Sequence, residues 1–133
     1  MSDASWTEMA EEQFVSLTTF RRDGSGVATP VWAAPDGEGA LVVTTPADSY
    51  KVRRLRRDPR VELRPCSRRG RVADDAPVLA GVAEVRQGRE AVDAAHRVLR
   101  EKYGVQVRLV LGVEWLMRRG HTDRVIVRVT PAP

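Results

Sequence analysis

Between Phe14 and Thr45 the chain holds three strand-like runs, FVSLTTF (14–20), VATPVWAA (27–34) and ALVVTT (40–45), separated only by RRDGSG and PDGEG. Asp-Gly turns between β-branched runs are strong hairpin signals. The three runs therefore predict an antiparallel meander. A short helix is expected before them over Ser5 to Gln13, where Ser5 or Thr7 can act as the cap and Glu8, Glu11 and Glu12 complement the helix dipole.

A second helix is predicted over Ser49 to Arg57, capped by Ser49 or Asp48, with Val52 and Leu55 on one face and Asp58-Pro59 as its stop. RVELRPC (60–66) reads as a strand with Val61 and Leu63 on one side, SRRGRVADDA as a loop, and PVLAGVAEVRQ (77–87) as a further strand ended by Gly88. Arg89 to Tyr103 carries apolar residues at Ala91, Val92, Ala95, Val98 and Leu99, a helical period, and Gly104 stands where a left-handed cap would be. Val105 to Arg119 is open between a helix and an irregular segment, and RVIVRVT (124–130) closes the chain as a strand. Six or so antiparallel strands with few helices predict a mainly β fold, a small barrel with peripheral helices in one domain of 133 residues.

Composition narrows the function classes. With 42% hydrophobic and 30% charged residues the chain resembles a soluble globular protein, and no apolar run approaches the roughly 18 residues of a membrane span. The opening MSDASWTEMAEE lacks the basic and apolar regions of a secretory signal, so a cytoplasmic location is expected. Cys66 is the only cysteine, which excludes an intrachain disulfide and a thiolate zinc cluster, and His96 and His121 do not suggest a metal site. Cys66 and His96, at the edge of a helix's apolar face, read as structural residues, and the sequence around His121 supplies no catalytic argument. Trp32 and Trp115 read as core or dimer-interface residues rather than base-stacking platforms. No glycine-rich nucleotide fingerprint is present. A nucleic-acid module is suggested by charge alone, and 5% aromatic residues without a reading motif argue against it.

Six basic residues fall between Lys51 and Arg60, and only Lys51 and Lys102 among the 22 basic residues are lysines. A charge run is usually a solvated face. Here, however, a strand ending in Thr44-Thr45, a turn and a helix starting near Ser49 place hydroxyls, free N–H groups and the Lys51 ammonium around one point. That combination is an anion site.

The order of elements, together with ADSYKVRRLRRDPRVEL and VLAGVAEV, resembles the split β-barrel flavin- and deazaflavin-dependent oxidoreductases related to pyridoxamine 5′-phosphate oxidase, over about residues 12–130. The most specific part is S-x-K-x-x-x-L-x-x-D-P-R-V from Ser49 to Val61, and PCSRRGRV is similar to the actinobacterial branch that uses the 8-hydroxy-5-deazaflavin, coenzyme F420. The resemblance implies a homodimer with cofactor between its protomers. It implies that Thr44, Thr45, Ser49 and Lys51 hold the phosphate with Arg54 nearby, and that Thr29, Pro30, Val31 and Trp32 line the ring. Arg53–Arg60 and Arg68–Arg71 would then face the polyglutamate tail of a deazaflavin. The activity implied is hydride transfer from reduced F420 to an unsaturated small organic substrate. The alternatives are an FMN enzyme of the same fold and a non-catalytic carrier of a flavin or deazaflavin. Ser49 stands where some members carry a basic residue, and the substrate-binding residues of pyridoxamine phosphate oxidases are not recognisable, which disfavours oxidation of a vitamin B6 phosphate.

Overall fold

The computed structural model describes residues 3–37, 39–104 and 124–133. Helix α1 (Asp3–Glu11) is followed by strands β1 (Val15–Phe20), β2 (Gly26–Val31), β3 (Ala33–Pro35) and β4 (Leu41–Pro46), helix α2 (Tyr50–Arg57), strands β5 (Arg60–Pro65) and β6 (Leu79–Arg86), helix α3 (Arg89–Tyr103) and strand β7 (Arg124–Pro131). The segment read as ambiguous, Val105 to Arg119, lies outside the described residues, as do Trp115 and His121.

All seven strands form one antiparallel sheet in the order β2-β1-β5-β6-β7-β4-β3. This corrects the predicted meander. The run VATPVWAA is not one strand in the middle of a three-strand array. It breaks at Trp32, and its halves pair with different partners: Val31 lies opposite Val15 in β1, whereas Ala33 lies opposite Val43 in β4. The two hairpins were legible, but the strands between them occupy opposite edges of the sheet. One residue spans at most about 3.6 Å, so edges joined through Trp32 alone must meet. The sheet therefore curls round on itself as a split β-barrel, the mainly β architecture expected, with seven strands.

Strand alternation divides the apolar residues into two layers. Inside the curl, Val15, Leu17, Leu41, Val43, Val61, Leu63, Val127 and Val129 form the main core. Helix α1 closes it with Trp6, Met9 and Ala10, and α2 with Leu55. Trp6 fits because β6 carries Gly81 at that point: a Cβ there would lie 3.0 Å from the Trp6 ring and 2.9 Å from Val129. On the outer face Ala34, Val42 and Ile126 pack against Ala95, Leu99 and Tyr103 of α3. Gly104 has the positive φ expected (63°), but its ψ of −135° takes it out of the left-handed helical region, and its N–H still reaches Arg100 O at 2.8 Å.

Candidate functional site

Where β4 leaves the sheet for α2, a cleft of about 290 Å³ is lined by Phe14, Pro30, Val31, Trp32, Thr44, Thr45, Pro46, Lys51, Arg68 and Arg124. Its wall is apolar on the side of the β2–β3 break and cationic on the side of α2 and β7. None of the described lining residues is acidic. Helix α2 begins here because Ser49 is its N-cap, in an extended conformation (φ −70°, ψ 153°), with its hydroxyl accepting the Val52 N–H at 3.4 Å. Val52 and Leu55 are buried beneath the helix, so Lys51 is turned toward the cleft mouth.

The Lys51 ammonium is pushed down from its ordinary range, first by burial and then by the nearby positive charges of Arg54 and Arg124. Among the described residues no carboxylate opposes this. Like charges held together in a half-buried site raise the energy of the free protein, and an anion relieves that repulsion. The arrangement is thus an anion receptor beside an apolar slot.

Of the residues proposed from the sequence, Pro30, Val31, Trp32, Thr44, Thr45 and Lys51 come together in the cleft. Thr29 does not line it. Its register opposite Leu17 turns it to the core side of β2, where its Oγ1 is buried with no hydrogen-bond partner among the described residues. Ser49 is also outside the lining; it caps α2 and lies 3.3 Å from Thr45 Oγ1. Arg54 reaches the other way, its Nε donating to Thr19 Oγ1 at 2.6 Å, and acts on the cleft through its charge.

Arg68, expected from the resemblance to face a polyanionic tail, also lines the cleft; Arg124, Phe14 and Pro46 complete the lining, and sequence reasoning did not single them out. Arg124 enters because Pro46 is its register partner, a pairing between strands some eighty residues apart that no local pattern reveals. Thr44 Oγ1 accepts the Arg124 Nε–H at 2.9 Å and lies 2.8 Å from His96 Nε2 on α3. His96 was read as structural; it touches a cleft residue. Cys66 is half-buried, and burial together with Glu12 raises its thiol, which makes it a poor nucleophile.

A family model described as pyridoxamine 5′-phosphate oxidase matches residues 1–132. Among solved structures, the conserved hypothetical protein Rv2991 from Mycobacterium tuberculosis is 26% identical with a TM-score of 0.70, covering 100% of this chain and 82% of that one. A protein named F420 reductase is 22% identical with a TM-score of 0.61, covering 95% and 92%. HutZ, a heme storage protein from Vibrio cholerae, is 14% identical with a TM-score of 0.67, covering 98% and 89%. The last two share the fold alone. No curated protein matches the chain. Among the described residues no helix is long and apolar enough to cross a membrane.

Proposed function

The chain belongs to the pyridoxamine 5′-phosphate oxidase family, and from that membership we propose that it is an oxidoreductase dependent on coenzyme F420, acting on an unsaturated small organic substrate. The observation that carries this reading is the cleft itself: Lys51, Arg68 and Arg124, with no acidic side chain among the described lining residues, beside Trp32, Pro30 and Phe14. That donor set fits a phosphate-bearing flavin or deazaflavin. Lys51 and Arg124 would hold the phosphate, with Thr44 fixing Arg124 through its Nε–H, while Trp32 and Pro30 would hold the ring on the apolar side. Bound in reduced form, the cofactor supplies the hydride. The chain's residues orient it and leave one ring face for substrate.

A site for a small ligand usually encloses about 300–1,000 Å³, and this cleft lies at the lower limit. A second copy of the chain would supply the remaining wall, so the proposed active form is a homodimer. The arginines beyond the phosphate site favour a cofactor with a polyanionic tail over FMN. Such exposed pairs are individually weak and screened by salt, so the preference should shrink as salt rises.

Heme-binding proteins share the fold, HutZ and a heme binding protein from Mycobacterium smegmatis among them. The heme reading is less supported because His96, the one histidine among the described residues, has its Nε2 engaged by Thr44. A nucleic-acid role is less supported because two guanidiniums of the exposed basic run already have partners within the chain, Arg57 donating to Phe20 O and Arg60 to Asp58.

Titration of the purified protein with FMN, with hemin, and with oxidised and reduced F420 tests the proposal, followed by loss of reduced-F420 absorbance with quinones and enones. Tighter binding of F420 and turnover support it. FMN binding as tight at low salt reverses the order of cofactors, F420 binding without turnover of any acceptor indicates a carrier, and hemin binding alone indicates the heme reading.

A further inference from the structure

The basic run on α2 is not uniform. Arg60 is paired with Asp58 at 2.8 Å, and Arg53 lies over the Tyr50 ring, 5.5 Å from its centroid. Arg54 and Arg57 stand three apart, on one face of the helix, and both reach the end of β1. Arg54 Nε donates to Thr19 Oγ1 at 2.6 Å, and Arg57 Nη2 donates to Phe20 O at 2.7 Å. The next residue, Arg21, opens the turn between β1 and β2 and donates from Nη1 to Ser25 Oγ at 3.3 Å. Three guanidiniums are thus anchored at one strand end and the turn that follows it. Each anchor is a neutral oxygen, which fixes a guanidinium without cancelling its charge.

The three charges are close enough to act on one another: burial, and after it the charges of Arg21 and Arg57, push the Arg54 guanidinium below its ordinary range. Two carboxylates stand nearby, and both are engaged. Asp23 feels Arg21 but accepts the Ser25 N–H at 2.9 Å and lies 2.6 Å from the Ser25 hydroxyl. Asp58 feels Arg57 but takes the side chain and N–H of Arg60. Among the described residues no carboxylate is ion-paired with Arg21, Arg54 or Arg57.

We propose that Arg21, Arg54 and Arg57 form a second anion site, outside the cleft, for the phosphate group of a small phosphomonoester. A guanidinium has five N–H donors, and the anchor described for each uses one. A phosphomonoester carries three acceptor oxygens and nearly two negative charges near neutral pH, so it can meet three guanidiniums while its ester oxygen faces water. Arg21 and Arg57 are exposed and Arg54 is half-buried, which leaves the site open for the ester substituent. None of the three lines the cleft, so the inference stands apart from the cofactor reading.

The test is amide NMR of the ¹⁵N-labelled protein at one fixed pH, titrated with glycerol phosphate and, at matched ionic strength, with dimethyl phosphate. The expected result is saturable shifts at residues 20–25 and 57–58 with the monoester and none with the diester, which has one charge and two free oxygens. The cleft is itself an anion receptor, so the amides of Thr45 and Lys51 are followed as a separate set. In the double variant Arg21→Ala/Arg57→Ala the affinity read at the end of β1 should fall about tenfold or more, while that read at the cleft should change less than about threefold. An intact cleft response also shows that the variant is folded. Lys51→Ala should do the reverse. Four results would overturn the proposal: no saturable shift at the end of β1, an equal shift with the diester, a response that survives the double variant, or one that disappears in Lys51→Ala. FMN and F420 titrations decide the cofactor separately. If neither binds while the end of β1 responds, the cofactor reading falls and this site stands; if either binds and the end of β1 is silent, the reverse holds.

Discussion

Trp32 lies face to face with Tyr103, with ring centroids 5.0 Å apart and planes 16° from parallel, at the point where the two edges of the sheet meet. A break between strands leaves backbone groups that no ladder satisfies. Here the end of α3 satisfies them. The Tyr103 hydroxyl accepts the Ala33 N–H at 3.2 Å and has Gln13 O at 2.8 Å and Ala33 O at 3.0 Å as acceptors for its own proton. Beside it, Lys102 Nζ donates to the carbonyls of Ala10, Glu12 and Ala33.

Tyr103→Phe keeps the stack on Trp32 but strands the buried Ala33 N–H. We expect a loss of about 1–3 kcal/mol, read as a lower urea midpoint with an unchanged slope. An unchanged midpoint would mean that water replaces the hydroxyl at no cost.

Burial pushes the Lys102 ammonium down to about 8, against the opposing pull of Glu12 and Glu11. In the unfolded chain a lysine keeps its proton to about 10.4. Between these values the unfolded state binds more protons, so the stability contributed by this group rises with pH through that window and is lost as pH falls through 8. The stability of the protein relative to Lys102→Met should therefore be level from pH 6 to 7 and climb from pH 8 to 10. A level difference across the whole range would show that the ammonium is not displaced.

Gly81→Ala should be costly although its backbone is ordinary. The added Cβ would lie 2.9 Å from Val129, 3.0 Å from Thr130 O and 3.0 Å from Trp6, and the carbonyl oxygen belongs to the sheet and cannot rotate away. We expect a loss of about 1–3 kcal/mol, as for other overpacked cores, with a change in tryptophan fluorescence as Trp6 is displaced. Thermal unfolding matching that of the parent would mean that α1 shifts freely.

Lys51→Ala should weaken FMN or F420 binding about 10- to 100-fold, the loss of one charge-assisted contact. Arg57→Ala should change it less than about threefold, because Arg57 spends its guanidinium on Phe20 O, outside the cleft lining. Fluorescence titration of both variants in one buffer, with folding checked by circular dichroism, makes the comparison. Parent-like binding by Lys51→Ala would place the phosphate elsewhere.

Local chemistry made much of this molecule readable in its sequence. Ser49 and the Asp58-Pro59 stop delimit α2, and the apolar period of Arg89 to Tyr103 delimits α3, because caps and periodicity act within a few residues. The Thr44, Thr45 and Lys51 part of the cleft was legible for the same reason. What stayed hidden is non-local. The break at Trp32 looks like any other position in a strand, since its cause is a choice of partners, Val15 on one side and Val43 on the other. Arg124 and His96 join the site only through register and helix docking. Thr29 went the other way: its residue type suited a ring pocket, and strand alternation turned it to the core.

The one-residue join at Trp32 also bears on the order in which the chain can fold. The hairpins β1–β2 and β3–β4 are local and form in microseconds, and Trp32 tethers them at once. Yet they cannot be completed as direct neighbours, because β5, β6 and β7 must enter the sheet between β1 and β4. The last of these, β7, pairs with both β6 and β4 after a long excursion in sequence, and such contacts are slow to find. Val127→Ala, in that strand, is accordingly expected to slow refolding in stopped-flow measurements, and a change confined to unfolding would place strand closure after the barrier. A barrel latched by a covalent bond from the start is one whose last strand, not its seam, sets the pace.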